Sequence, residues 1–161
     1  KPTSELKTSV RIGDVINSTL VVLNHEAKQN KIATFCQIPN DLPAIITDEG
    51  ALKEVFFNLI HNAIQAMPSG GEININAHYQ PGNHMIQVTI ADTGIGIPQE
   101  SVQKIFEPFY TTKQTGTGLG LSIVKKKLEE MDATIHVENN GEKGVSFVIN
   151  FPLIEPILTQ F

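Results

Sequence analysis

Four segments of the chain alternate apolar and polar residues, and this pattern constrains the fold more than any other feature. In chain order they cover residues 71–79, 85–92, 134–138 and 144–151. Such alternation predicts strands with one buried face and one exposed face. The turn-forming runs Gln80-Pro81-Gly82-Asn83 and Asn139-Asn140-Gly141 separate them in pairs, so we expect two hairpins.

Helices with a single apolar stripe can cover the buried face of such a sheet. We expect a helix over residues 12–30, a second one after Asp48 and a third after the glycines near residue 120, with further strands at 34–38 and 44–47. The predicted fold class is therefore α/β, a two-layer sandwich in which about three helices cover one face of a mixed sheet. With 161 residues, 40% of them hydrophobic, the chain suits one domain spanning 1–161 with a core over about 10–153.

The composition excludes some classes of partner and compartment. A formal net charge of -5 argues against a general nucleic-acid surface, and we expect no nucleic-acid partner. The single Cys36 excludes an internal disulfide and agrees with a reducing cytosol. Since neither a signal peptide nor a membrane span is visible and the chain starts without Met, we expect an excised cytoplasmic domain with no membrane contact of its own. Its parent can still be membrane-anchored.

A glycine-rich run precedes the third predicted helix. Its glycines alternate with Thr and Leu in the order Gly116, Thr117, Gly118, Leu119, Gly120, Leu121. Glycines let a backbone approach a ligand closely, and the free N–H groups and dipole of a helix start favour an anion such as phosphate. Tight packing produces similar runs, and the spacing is not that of a Walker A loop.

The strand at 85–92 ends in a carboxylate that opens onto a glycine turn, Asp92-Thr93-Gly94-Ile95-Gly96-Ile97-Pro98. An Asp at a strand end can accept a hydrogen bond from an amino group such as the exocyclic amine of adenine. The alternative interpretation is that Asp92 caps the turn through its own backbone.

The helix after Asp48 has one apolar and one polar face. The apolar face is formed by Leu52, Val55, Phe56, Leu59, Ala63 and Ala66, and the polar face by Glu54, Asn58, His61, Asn62 and Gln65. Asn is a mediocre helix former, so two of them one turn apart indicate amides directed at a ligand. A hard cation such as Mg²⁺ is a candidate, since it needs only one or two protein ligands when phosphates supply the others. A solvated polar face is the alternative.

Four motifs, NLIHNAIQAM, DTGIGIP, FEPFYTTK and GTGLGLSIV, occur in this order. Together they resemble the asparagine, glycine and phenylalanine boxes of the catalytic ATP-binding domain of sensor histidine kinases, and TTK resembles the nitrogen-regulation and sporulation-kinase branch. The resemblance covers roughly residues 48–152. It implies the Bergerat ATP-binding fold of the wider group of gyrase-type, mismatch-repair and chaperone ATPases, with a mobile ATP lid.

The resemblance also implies a role for each matching residue. Asn62 would bind Mg²⁺, Asn58 would help to hold metal or phosphate, and Asp92 would bind the adenine amine. Lys113 would neutralise the β or γ phosphate, although a solvated loop lysine is the alternative. The other nucleotide-binding residues would be Gln65, the base-pocket residues Gly94, Gly96, Ile97 and Ser146, and the lid and helix start Gly116, Thr117, Gly118, Leu119, Gly120 and Leu121.

The resemblance further implies a mechanism. Hydrolysing relatives carry Glu at the position of Asn58, and Asn cannot act as a base for water, so hydrolysis should be slow. We expect Asn58, Asn62 and Lys113 to support transfer of the γ-phosphoryl group of Mg-ATP to a histidine on a separate dimerisation module of the same kinase. A response-regulator aspartate would receive it later. Alternatives are a slow ATP-hydrolysing switch, with Glu54 as substitute base, and an interaction module with a decayed site.

The phosphoacceptor and dimerisation segment itself is not expected in this chain. His25-Glu26 starts an HE-x-x-x-P pattern, but no proline follows. We therefore expect the chain to bind ATP or ADP without phosphorylating itself.

Overall fold

The computed structural model describes residues 7–110, 120–140 and 143–153. In those residues the helices are α1 (Ile12–Gln29), α2 (Glu49–Gln65) and α3 (Gly120–Glu130). The strands are β1 (Thr8–Val10), β2 (Ile32–Gln37), β3 (Ile45–Thr47), β4 (Gly71–Gln80), β5 (Met85–Asp92), β6 (Thr134–Asn139) and β7 (Val145–Pro152). One short 3-10 turn covers Gln99–Ser101.

The main sheet has five strands in the order β2-β4-β5-β7-β6. Strand β2 pairs with β4 in parallel, whereas the other neighbours are antiparallel. Ile75, Ile90, Phe147 and Val137 form one row across the sheet. The alternating segments therefore bury one face against the helices, and the predicted α/β sandwich with a mixed sheet and three helices is confirmed.

The three strands that precede α2 differ most from the sequence prediction, and β1 was not predicted. The strand expected at 44–47 forms as β3, but it pairs with β1 in a separate two-stranded ladder with Val10 opposite Ile45. Strand β2 begins at Ile32, two residues before the expected start, and Ile32 is its only buried residue. An edge strand with so little burial lacks the alternation that marks the central strands, which explains why its start was misplaced.

Helix α2 runs through the centre of the core. Asp48 caps its start, because its carboxylate accepts a hydrogen bond from the Ala51 N–H at 3.1 Å, and Glu49 complements the dipole in the first turn. The buried face is wider than expected, since Ile60 and Ile64 join it. Phe56 meets Phe151 of β7 with 6.2 Å between ring centroids, which packs the helix on the sheet.

Helix α3 lies beside α2 and buries fewer residues. Val124 and Leu128 are its fully buried side chains, and Lys127 reaches Glu54 of α2 at 3.4 Å. Within the described parts of the chain, a helix with the length and apolar character needed to cross a membrane is not found.

Candidate functional site

The start of α3 lies against Asn58 of α2. A Cβ atom at Gly120, the first residue of α3, would lie 3.3 Å from Asn58 Oδ1. The Asn58 amide is oriented, because its Nδ2 donates to the Glu54 carbonyl at 3.0 Å and leaves Oδ1 on the side of α3. The first turn of α3 carries no acidic residue, so its N–H groups and positive dipole end face this position without a competing carboxylate.

The glycine turn after β5 lies against the other end of α2. A Cβ atom at Gly94 would come within 2.6 Å of the Ala66 carbonyl oxygen, so only glycine allows this approach. Ala66 follows Asn58 by two turns of helix, about 12 Å along the axis. Asn62 lies midway between them on the same side of the helix. Ala66, expected on the apolar face, is only half-buried, and the stretch of α2 from Asn58 to Ala66 is the candidate site.

Asp92 lies at the bottom of the glycine turn. The residue is buried, and its Oδ1 accepts hydrogen bonds from the N–H groups of Gly94 at 2.8 Å and Val145 at 3.4 Å. Burial raises the pKa of this carboxyl above its ordinary value, and the two backbone hydrogen bonds oppose that rise. Because both bonds end on Oδ1, the described contacts leave Oδ2 for an incoming donor. Asp92 therefore caps the turn and can still bind a ligand.

The residue directly before strand β7 is a glycine in close contact with this turn. Gly144 has φ of +83°, and a Cβ atom on it would overlap the backbone carbonyl of Asp92. Both facts restrict the position to glycine. The close approach brings the Val145 N–H to Asp92 and fixes the floor of the candidate site.

The part of the chain that contains this site matches a known protein family. A family model described as histidine kinase-, DNA gyrase B-, and HSP90-like ATPase matches residues 47–155, which contain every contact just described. The chain belongs to this family. Sporulation kinase A of Bacillus subtilis (strain 168) is 37% identical to it over 147 residues, covering 91% of this chain and 24% of the relative. The chain thus spans about a quarter of that relative's length.

Solved structures identify the branch of the family. The nucleotide-free catalytic domain of histidine kinase ThkA superposes with a TM-score of 0.83 at 32% identity, covering 91% of this chain and 95% of the other. ThkA in complex with the response regulator TrrA has a TM-score of 0.79 at 29% identity, covering 92% and 42%. Full-length ShkA in complex with AMPPNP has a TM-score of 0.81 at 25% identity, covering 93% and 32%. The ATPase domain is therefore of the histidine kinase type.

The structure of this histidine kinase-type domain brings several of the predicted site residues together. Asn58 and Gly120 meet at one end, and Asp92 and Gly94 at the other. Gly96 has φ of +80°, as expected for a glycine that shapes a turn. Asn62 is half-buried and Gln65 exposed on α2, and each makes contacts of its own. Leu121 packs partly buried against the core. The predicted Lys113, Gly116, Thr117, Gly118 and Leu119, and with them the lid, lie outside the described residues.

The Ser146 hydroxyl, which is expected beside the base, contacts Asn140 in the structure. Its Oγ donates to Asn140 Oδ1 at 2.8 Å, whereas the neighbouring Val145 provides the N–H that reaches Asp92. A direct contact of Ser146 with the base stays a prediction, and the structure gives it an indirect connection through Asn140.

Sequence reasoning missed Asn139 and Asn140 as members of the site. Asn139 accepts a hydrogen bond from the Ile97 N–H at 3.1 Å and donates to the Ile97 carbonyl at 2.9 Å. The pair Asn-Asn before Gly141 is a strong turn signal, and this local explanation hid the long-range contact. Asn139 is the last residue of β6 and pairs with Val145, so extending the predicted strand by one residue would have placed it there.

Two polar residues of α2 form contacts with neighbouring helices. His61, expected on the site side, instead lies 3.2 Å from Glu26 of α1 and stacks on Phe57. Glu54 forms its ion pair with Lys127 of α3. Neither contact directs these side chains at Asn58 Oδ1.

The aromatic residues after the glycine turn divide into two kinds. Phe106 packs edge-on against Phe147, and the Tyr110 hydroxyl donates to Ser101 Oγ at 2.6 Å, so both anchor the segment. Phe109 is 74% exposed and has φ of +69°, which a bulky residue rarely adopts. Phe109 is thus presented to solvent instead of contributing to the core.

Proposed function

We propose that this domain binds Mg-ATP along α2 and donates its γ-phosphoryl group to a histidine on a separate dimerisation module, for later relay to a response-regulator aspartate. The observation that carries the proposal is the contact of both glycine-rich segments with one helix, Gly120 at Asn58 and Gly94 at Ala66. The two contacts are about 12 Å apart on the helix axis, a span suited to an extended nucleoside triphosphate.

The adenine ring lies at the Asp92 end. The exocyclic amine donates to Asp92 Oδ2, because Oδ1 is held by the Gly94 and Val145 N–H groups. Gly94 and Gly96 leave room for the ring against the backbone, and Ile97 lines the pocket. A buried carboxylate with fixed partners gives a site that selects an amino group at this position.

The phosphates lie at the Asn58 end, where the N-terminus of α3 supplies N–H groups and a positive dipole end. The residues here suit Mg²⁺, since the orientation of the Asn58 amide presents an oxygen, the ligand atom that this ion prefers. Asn62, one turn further, is the proposed protein ligand, and bound Mg²⁺ would neutralise phosphate charge. Lys113 and the glycines of the lid complete the phosphate site in the proposal.

Transfer is favoured over hydrolysis by the residues near the phosphate end. Asn58 has no basic atom with which to activate water, and its Nδ2 is engaged with the Glu54 carbonyl. Glu54, the substitute base of the switch alternative, is paired with Lys127 at 3.4 Å. The ShkA complex with AMPPNP and the ThkA complex with TrrA support binding of an ATP analogue and contact with a response regulator in proteins of this type.

Calorimetric titration with ATP and ADP, in Mg²⁺ and in EDTA, tests the two ends separately. Asp92→Ala should weaken both nucleotides alike, because it removes a base contact. Asn62→Ala should weaken chiefly the binding that depends on Mg²⁺, and an equal loss with and without metal would exclude the metal role. Binding by Asp92→Ala at the affinity of the unmodified chain would contradict the proposed nucleotide site.

A further inference from the structure

Two adjacent asparagines at the end of β6 hold the turn that follows β5. Asn139 contacts Ile97 with both atoms of its amide, Oδ1 accepting from the Ile97 N–H at 3.1 Å and Nδ2 donating to the Ile97 carbonyl at 2.9 Å. The two residues are 42 positions apart in sequence. The Asn139 side chain therefore forms with the Ile97 backbone the pair of hydrogen bonds that a neighbouring strand would form.

Asn140 ties the next part of the same region together. Its Oδ1 accepts from the Ser146 hydroxyl at 2.8 Å, and its Nδ2 lies 3.5 Å from the Asp92 carbonyl oxygen. Its backbone N–H donates to the Gly144 carbonyl at 2.9 Å. Asn139 and Asn140, called the asparagine clip below, thus connect the β6–β7 turn to both Asp92 and Ile97.

The glycine turn needs such a restraint. Gly94 and Gly96 give the backbone wide conformational freedom, and Ile95 between them is 80% exposed. Ile97 precedes Pro98, which favours an extended conformation for it. In an extended residue the N–H and C=O groups point to the same side, so a single amide can pair with both. Asn139 therefore fixes the far end of a turn whose near end is fixed by Asp92.

We propose that the asparagine clip is a positioning element of the nucleotide site, which holds Asp92 and Ile97 at the separation that receives the base before the ligand arrives. The inference rests on the proposed function and adds residues to it. Without the clip, the nucleotide would have to order the turn on binding. The entropy cost of this ordering would weaken the binding. The clip touches only the base end, so its effect should not depend on phosphate number or metal.

Substitution of Asn139 tests this role. Asn139→Ala should bind ADP and ATP about tenfold more weakly, by the same factor in Mg²⁺ and in EDTA. The Ile97 amide should exchange with solvent faster in the free variant, since its acceptor is gone. Asn76→Ala is the matched control, because it makes the same change at an exposed position of β4. It should leave affinity and Ile97 exchange unchanged.

The outcomes separate the clip from the site itself. If Asp92→Ala loses binding while Asn139→Ala binds normally, the clip is excluded and the proposed function stands. If Asp92→Ala binds normally, the proposed function fails. If Asn139→Ala does not fold, Asn139→Gln decides, because its longer stem displaces the amide from Ile97, and unchanged affinity there would overturn the proposal. A loss confined to Mg²⁺ conditions would also overturn it.

Discussion

At the scale of single residues, Asp92 combines a cost to folding with a proposed role in binding. The carboxyl is buried, and its pKa is raised by that burial despite two backbone hydrogen bonds. Groups kept for a ligand in this way commonly reduce the stability of the free protein. The neutral form of Asp92 should therefore stabilise the nucleotide-free domain more than the ionised form does.

The isosteric variant Asp92→Asn should separate these two effects. Its Oδ1 can keep the Gly94 and Val145 donors, while an NH₂ group replaces the oxygen that faces the base amine, so two donors would oppose each other. We expect ADP affinity to fall by roughly 10- to 100-fold and the melting temperature of the free domain to be unchanged or higher at neutral pH. Calorimetric titration and thermal unfolding measure both. A clear loss of melting temperature would contradict this account of the carboxylate.

The raised pKa of Asp92 also gives a pH dependence with a defined sign. The native state holds the proton more tightly than the unfolded chain, so the contribution of Asp92 to stability falls as pH rises from the ordinary Asp pKa through the raised one. Adenine binding needs the ionised form and should weaken as pH falls through the same window. ADP titrations across that window should show the decline in the unmodified chain and not in Asp92→Asn.

Gly144 offers a second test at the residue scale. A side chain there would combine a left-handed φ with overlap of the Asp92 carbonyl, so Gly144→Ala should lower the free energy of unfolding by about 2–4 kcal/mol. Gly82→Ala is the matched control, because a Cβ atom at Gly82 would meet nothing within 4 Å, and its effect should stay within about 0.5 kcal/mol. Urea unfolding measures both, and equal effects would contradict the tight fit at Gly144.

At the scale of elements, the attachment of α3 to α2 determines the phosphate end of the site. Val124 and Leu128 are fully buried there, whereas the side chains of the Lys127–Glu54 pair are 29% and 47% exposed to solvent. Exposed ion pairs contribute little, and buried aliphatic side chains contribute much. Packing by α3, more than its charges, should hold Gly120 at Asn58.

Leu128→Ala should therefore lower the free energy of unfolding by about 2–4 kcal/mol, and Lys127→Gln should change it by no more than about 0.5 kcal/mol. Denaturant unfolding with amide exchange in α3 provides the measurement. A larger effect from Lys127→Gln than from Leu128→Ala would show that the ion pair, not apolar packing, positions the helix.

The helices and strands differ in how well the sequence predicts them. Alternation in β4, β5, β6 and β7 and the cap at Asp48 were read correctly because each signal is local and strong. Strand β1 and the start of β2 were not, since three-residue ladders and exposed edges leave little periodicity. At the site, Asp92, Asn58 and the glycines could be identified from motifs. The clip at Asn139 could not, because its partner Ile97 is distant in sequence and the asparagine pair already had a local explanation.

At the scale of the whole molecule, the chain matches only part of its curated relatives. It spans 21% to 24% of the length of sporulation kinases E and A, so the acceptor histidine and the relay belong to the proposal and not to the described site. The exposed Phe109 follows the glycine turn in sequence and precedes the predicted lid. The proposed function predicts that this domain holds ATP intact until an acceptor histidine arrives.

The measurement that tests this claim most directly follows γ-labelled ATP on the isolated chain with Mg²⁺ over hours, scoring both released phosphate and label on protein. Asp92→Ala, which should bind nucleotide more weakly, is the control for contaminating ATPases. We predict bound ATP that stays intact, with near-zero release and no labelled protein. Steady release that Asp92→Ala abolishes would show a hydrolysing switch, and label on His25 would show a domain that phosphorylates itself. Either result would contradict the account.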